Sequence, residues 1–338
     1  MSIEIIAEVA QGYEGNYKLS ELLVQSAVNA GADAVKFQAV FADELATSNY
    51  QHYQLFKKLE MTREDWINIA SHCKRSGIEF HLDVFGEKSI SLADDLQIEA
   101  IKVHPTDMKN IALLEMIRDT AVPKVLLGIG GAEAQEISDA VDILATKQIT
   151  LLLGFQGYPT ETSENQIGRL GYLSERFRRS NPTLRLGFAD HAVPEEEMHT
   201  LLAALAIGAG ATVIEKHLCL NRVLMLEDYE SAINADEFKL YCDKLRETYR
   251  GIGDEPIDDA FLMSPAEIEY REAISRDVVA MKRISKGSTI SKADVGLKRT
   301  GANLALRDLG KVIGSRSTRE YEIDQVFLLS DLDQDNDK

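Results

Sequence analysis

Cysteine is scarce in this chain. The three present, Cys73, Cys219 and Cys242, are odd in number and far apart, which argues against a disulfide framework or a cysteine metal knuckle and predicts reduced thiols. Long apolar runs are missing too. No span approaches about 18 uninterrupted apolar residues, and the opening MSIEIIAEVA lacks a basic start ahead of an apolar stretch, so neither a transmembrane helix nor a secretory signal is expected. Basic residues are outnumbered, with 37 Lys plus Arg against 55 Asp plus Glu and a formal charge of -18. The acids are spread along the chain, which disfavours a surface for nucleic acid or anionic membrane but leaves room for a small basic pocket that takes an anionic metabolite. No GxGxxG follows the first apolar run, so a dinucleotide fold has little support. Together these absences lead to the expectation of a cytoplasmic protein acting on small molecules.

What is present is an alternation. Of the 338 residues 45% are hydrophobic, enough for a large core. Short apolar runs recur as IEIIAEVA from Ile3, AVKFQAV from Ala34, EFHLDVF from Glu79, AIKVHP from Ala100, KVLLGIG from Lys124, ITLLLGF from Ile149, LRLGFAD from Leu184 and TVIEKHL from Thr212. Amphipathic helical stretches separate most of them. Eight strands, each followed by a helix, over about 250 residues predict an α/β protein built on a (β/α)8 TIM barrel. The connection from Phe41 to Thr62 is long for such a barrel and lies on the side where barrel sites form. The Gly-, Pro- and Asp-rich GIGDEPIDD marks the best boundary. The expected division is a barrel over 1–252, a linker over 253–276, a small β-rich module over 277–333 and a solvated tail over 334–338.

Two of the strand candidates end in histidine. His191 and His217 close consecutive parallel strands, which would bring both imidazoles to one end of the barrel. Asp190 and Glu215 lie beside them, and Glu215 shares a face with His217 because side chains alternate with period 2. A lone strand-end histidine is more often a hydrogen-bonded core or surface residue. A pair beside carboxylates suggests a metal site.

The wording of these segments resembles the sialic acid synthase family. The likeness is carried by an IAExxxxxEGN opening, GADAVKFQ in the second strand, a lysine in the fourth, YPT after the sixth, ADH after the seventh, GATVIEKH in the eighth and a KxISKGxxISKxDVxxKRxG pattern near the end. The resemblance implies a barrel followed by an antifreeze-like (SAF) module, and metal-dependent condensation of phosphoenolpyruvate with an N-acylated amino-sugar aldehyde, releasing phosphate and forming a nonulosonic acid. It implies that His191 and His217 hold the ion, Mn²⁺ in first place with Mg²⁺ as the alternative. Lys36 and Lys102 would meet the donor's carboxylate and phosphate. Glu14 would handle the sugar or the attacking water, and Asp107 would act as a base. Gln38, Gln156, Tyr158 and Asp228 would face the substrates. Arg299 would reach the acyl group of the sugar from the neighbouring subunit of a domain-swapped homodimer.

The likeness weakens at the phosphate end. Pro105, Gly128 or a neighbour in LLGIGG, and Ala189 stand where the family usually carries serines, and Gln156 where it carries an asparagine. His104, Thr106, His81, Asp83 and the amides of Gly128 to Gly131, read as the start of a helix, are candidates to rebuild an anion site. Three functions follow: a synthase using phosphoenolpyruvate, a metal-dependent aldolase or lyase using pyruvate or another 2-oxo acid, and a non-catalytic relative that binds a sugar acid.

Overall fold

A computed structural model describes residues 2–154, 157, 159–179, 181–194, 198–253, 262–302 and 304–331. Eight parallel strands close on themselves: β1 (Glu4–Ala10), β2 (Ala34–Gln38), β3 (Glu79–Val84), β4 (Ala100–Val103), β5 (Lys124–Gly128), β6 (Gln148–Leu153), β7 (Arg185–Asp190) and β8 (Val213–Cys219). Each pairs with the next in sequence, and β8 pairs with β1. This is the expected (β/α)8 barrel. A two-residue strand, β9 (Ile233–Asn234), extends the end of β8.

Alternation along the strands sorts side chains into two environments. Outward positions such as Ile5, Val35, Phe37, Leu82, Ile101, Leu127, Phe188 and Ile214 join the helices in one large core. Phe37 meets Tyr13, Trp66 and Phe80 with ring centroids 5.8 to 6.1 Å apart where Phe37 takes part. Each such buried ring contributes roughly 1.5–3 kcal/mol relative to exposure. Inward, Ile6, Ala34, Leu126 and Val213 form a separate apolar floor. The buried charges of Glu8, Lys36, Asp83, Lys102 and Glu215 stand above that floor.

Local signals set the helix ends. Tyr17–Ala30 begins where the Asn16 side chain accepts the Leu19 N–H and ends at Gly31 in the left-handed region. The long connection after β2 holds two short helices, Ala42–Leu45 and Tyr53–Leu59. The expected linker is not irregular throughout. Pro265–Ile274 is a helix, started by Ser264 and Glu267 bonding each other's backbone N–H groups.

The contacts divide the chain into two units, residues 1–253 and 254–338. In the second, β10 (Asp277–Ala280) pairs antiparallel with β11 (Val295–Lys298). Isolated bridges such as Ile284 to Tyr321 close a small core of Val278, Ala280, Ile290, Val312, Tyr321 and Phe327. Residues 332–338, which include the whole of the expected tail, lie outside the described residues. Among the described residues no helix is long and apolar enough to cross a membrane, and Cys73, Cys219 and Cys242 are buried free thiols.

The turn after β1 tests this account. Gly15 has φ +67, and a Cβ there would lie 2.0 Å from the Lys58 carbonyl oxygen. Gly15→Ala is expected to cost about 1–3 kcal/mol or more, read as a lowered urea midpoint. An unchanged midpoint would mean that this turn is not packed against Lys58 as described.

Candidate active site

The strand registers bring five charged side chains together inside the barrel. Glu8 lies opposite Lys36, and Asp83 opposite Lys102. Glu215 enters from β8. The Lys36 ammonium contacts Glu8, reaches Asp83 Oδ1 at 2.7 Å and lies 3.6 Å from Glu215 Oε2. Lys102 bonds Glu215 Oε1 at 2.6 Å and stands 3.9 Å from both Glu8 Oε2 and Asp83 Oδ2. All five are almost fully buried, so none could remain charged without the others. Burial lowers the Lys36 amine, an effect that Asp83 and Glu215 oppose. Burial pushes the Glu215 carboxyl up, but Lys102 and Lys36 outweigh it and hold the group at about 2. Lys36 and Lys102 were legible as site residues; Glu8, Asp83 and Glu215 complete the cluster.

At the mouth, His191 and His217 lie side by side with ring centroids 5.3 Å apart and planes tilted by 52°. Each is about 3% exposed. Burial drives both off the charged form, helped by the neighbouring lysines: His191 falls to about 3 and His217 well below its ordinary value. Neutral imidazoles are what a divalent ion needs. Two rings sharing an ion at about 2.1 Å from each nitrogen would have centroids roughly 5 Å apart, so the pair fits that role. Asp190 does not join it. Its place in β7 points outward, opposite Lys216, because adjacent strand residues face opposite ways.

That outward pair has its own work. Lys216 Nζ lies 3.2 Å from Asp190 Oδ1 and donates to the Ala192 carbonyl at 3.0 Å. The Tyr241 hydroxyl donates to Asp190 Oδ2 at 3.0 Å, and Asp190 Oδ1 accepts the Ala192 N–H at 2.9 Å. The His191 carbonyl accepts from Thr160 N–H and Ser231 Oγ. The backbone under both imidazoles is therefore held from behind the barrel wall.

The loops after β1 and β8 and the end of β2 gather Glu14, Asp228 and Gln38 at the rim. Gln11 links two of them, its side chain donating to Gln38 Oε1 at 2.8 Å and its backbone N–H to Asp228 Oδ2 at 3.1 Å. Glu14 accepts from Lys58 Nζ at 2.8 Å and from Glu227 N–H at 3.1 Å. Ala10, Glu14 and Asp228 all adopt positive φ, a conformation non-glycine residues hold only where surroundings impose it. Asp107 ends a 3-10 turn from Pro105, and its described hydrogen bonds are local, to Thr106 and Asn110. His104, pushed down by burial, contacts Thr106 Oγ1 at 2.9 Å and packs near Phe85. Gln156 and Tyr158 lie outside the described residues. Arg299 is exposed in the second unit, one residue beyond β11.

Two of the expected replacements for a phosphate site lie elsewhere. The helix after β5 starts at Ala134, beyond Gly128 to Gly131, and Glu136 already accepts the Glu133 N–H at its start. His81 belongs to the opposite end of the barrel. With Glu4 and Glu79 it forms the one group among the described residues whose three possible ligand atoms lie within 4.8 Å. Glu79 is bound there by Lys124 at 2.6 Å and Glu4 by Arg185, so this carboxylate–histidine group is already neutralised. Pro105 packs against Gly128, where a Cβ would come within 2.9 Å of the proline Cδ. Proline and glycine at these two positions fit each other.

Two outcomes test this geometry. Burial first, then Glu227 and Glu230, raise the Asp228 carboxyl from 3.8 to about 6 against the opposing Gln11 N–H bond. A raised carboxyl makes the ionised form a liability in the fold above about pH 6, relieved as pH falls towards 3.8. Against Asp228→Asn, the wild type should therefore gain relative stability between pH 6 and 4 in thermal-unfolding profiles; parallel profiles would contradict this environment. Lys216→Met leaves Asp190 buried and unpaired, at an expected cost of about 3–5 kcal/mol. Tyr241→Phe should cost only about 1 kcal/mol, and equal losses in urea unfolding would refute the clasp.

Comparison with known proteins agrees with this architecture. The model of the NeuB family matches residues 23–256. The N,N'-diacetyllegionaminic acid synthase of Legionella pneumophila is 28% identical, covering 94% of this chain and 90% of its own. The corresponding synthase of Campylobacter jejuni is 27% identical over 96% and 98%. A crystal structure of N-acetylneuraminic acid synthetase from Leptospira borgpetersenii, in complex with citrate, superposes with TM-score 0.72 at 25% identity, covering 81% of this chain and 93% of that one. A putative spore coat polysaccharide biosynthesis protein E from Chromobacterium violaceum shares the fold with TM-score 0.81 at 20% identity, over 98% and 100%. With more than half of its length matched by that family model, the chain belongs to the NeuB family.

Proposed function

We propose that this barrel joins a three-carbon 2-oxo acid unit to the open-chain aldehyde of an N-acylated amino sugar, giving a nonulosonic acid of the sialic or legionaminic type. The observation that carries the reading is the pair of neutral imidazoles, His191 and His217, standing side by side in the same barrel as a buried lysine cluster. When bound by that pair, Mn²⁺ or Mg²⁺ would supply Lewis-acid polarisation of the aldehyde oxygen. Lys102 and Lys36 hold the donor's carboxylate. Glu14, Gln38 and Asp228 ring the sugar hydroxyls, with Gln156 and Tyr158 on the same substrate and His104 and Asp107 beside the β4 end. Arg299 meets the acyl group, delivered by an antifreeze-like module from the other subunit of a homodimer. The family resemblance implies phosphoenolpyruvate as donor, with water consumed and phosphate released. An unphosphorylated 2-oxo acid is the second reading, favoured by the way Pro105 and Gly128 close on each other.

The test supplies purified protein and Mn²⁺ with each donor and a panel of N-acylated amino sugars, following the elongated 2-oxo acid and inorganic phosphate separately. An elongated product that disappears with chelator and with His217→Ala is expected. No product from either donor across the panel would overturn the reading.

A further inference from the structure

Gln11 stands one residue past the end of β1, among the strand ends where barrel sites form. Its place is imposed by a reversal of the chain. Ala10 before it holds φ at +49, and the Gly12 N–H after it bonds the Val9 carbonyl at 2.9 Å. The loop after β8 lies against this turn, since a Cβ on Gly12 would come within 3.2 Å of the Glu227 carbonyl oxygen. A non-glycine residue in the left-handed region costs energy and persists only where the surroundings over-determine it. Here Ala10 on one loop and Asp228 on the other share that conformation, and Gln11 is the residue that joins them.

The same residue sets how its neighbours are presented. Gln38 shares the inner face of β2 with Lys36, because alternate residues of a strand point the same way, and stands one layer above the buried charges. Gln11 Nε2 donates to Gln38 Oε1 at 2.8 Å, and the Gln11 N–H donates to Asp228 Oδ2 at 3.1 Å. Each partner is thereby used on one side only. All three residues are half-buried, and among the described residues Gln38 Nε2, Asp228 Oδ1 and Gln11 Oε1 meet no hydrogen-bond partner. A side-chain amide can turn either its oxygen or its nitrogen to a ligand. The bond from Gln11 occupies the oxygen of Gln38 and leaves its NH₂ free. The open groups are therefore one donor and two acceptors. Two acceptor oxygens need two O–H protons, and the Gln38 NH₂ needs an oxygen. A pair of hydroxyls supplies both, whereas an ether, ester or acyl oxygen only accepts.

We propose that Gln11 is a positioning residue that determines acceptor specificity: by fixing Gln38 and Asp228 it makes this rim a reader of two free hydroxyls on the sugar. A sugar deoxygenated or O-methylated at either position leaves a polar group of the rim unpaired and binds more weakly. The inference rests on the proposed function for the identity of the ligand as an N-acylated amino sugar.

The experiment reads binding apart from reaction. Full-length protein with Mn²⁺, without donor, is titrated by calorimetry with N-acetylated aminohexoses of the manno, gluco and galacto configurations, then with monodeoxy and mono-O-methyl forms of the best binder. In the wild type, changes at two hydroxyls should each lower affinity about 10–100-fold, with little effect elsewhere. In Gln11→Leu the parent sugar should weaken by a similar factor, and the penalty for altering those two hydroxyls should shrink to within about threefold. The combined loss in Gln11→Leu/Gln38→Leu should fall short of the product of the two single losses by about fivefold or more, because the first residue acts through the second. A purely structural role predicts a uniform loss across all sugars in Gln11→Leu, and that result would overturn the proposal, as would independent losses in the double variant. A wild type indifferent to every hydroxyl would overturn it whether or not the variants fold, and would leave the proposed function standing. Binding with the expected hydroxyl dependence, but no condensation with either donor, would do the reverse. No binding by any sugar of the panel would sink both.

Discussion

The constraint on which the rest depends is the mutual neutralisation of Glu8, Lys36, Asp83, Lys102 and Glu215 within the barrel. Taking ions out of water is costly, and their attraction in a low dielectric offsets that cost only when geometry is close and further hydrogen bonds are made. Here each lysine spans carboxylates from different strands, so the pairing holds only if β1, β2, β3, β4 and β8 keep their registers. The apolar floor of Ile6, Ala34, Leu126 and Val213 closes the interior below the cluster. A single missing partner would leave a buried charge, a larger penalty than the loss of one apolar contact.

The strand alternation that builds this cluster also builds its support. On β8, Glu215 and His217 face the interior while Lys216, between them, turns outward to Asp190, which also accepts the hydroxyl of Tyr241 from the helix Ala235–Arg250. The same division holds across the end of β7, where Asp190 turns out and its successor His191 turns in. One wall therefore carries reactive groups on its inner face and their anchorage on its outer face. The imidazoles can keep their relative position only while the outer triad holds, which ties the integrity of the site to a packing contact that no substrate touches.

Much of this could be read in the amino-acid order, and the reasons are physical. The eight strands were legible as short apolar runs, each bounded by turns and followed by helix-periodic stretches. His191 and His217 stood out because each ends such a run. Lys36 and Lys102 stood out as ammoniums in apolar company. Glu8, Asp83 and Glu215 carried the same signal, a charge at an inward position of a buried strand, but a carboxylate in IAEVA or HLDVF draws its meaning from partners on other strands. The outward turn of Asp190 was available from parity alone, since neighbours on a strand cannot share a face. The helix Pro265–Ile274 was announced by Ser264, Pro265 and Glu267, a capping pattern hidden in a stretch whose Gly and Pro content suggested a linker.

Under the proposed function, charge would also link an ion at the imidazoles to the donor. With two neutral imidazoles above a cluster of one net negative charge, an anionic donor approaching the barrel without a cation meets repulsion in a space with little water. A divalent ion reverses the sign of that field. Coupling of this kind is reciprocal: whatever free energy the ion adds to donor binding, the donor adds to ion binding. The tightest hold on the ion is then expected in the presence of a carboxylate, and a site with only two protein ligands suits that arrangement, because the remaining coordination positions stay open to water and substrate. Under the proposed function, the imidazoles of His191 and His217 would supply the protein ligands of that ion, and the buried carboxylates of Glu8, Asp83 and Glu215 would set the field it reverses.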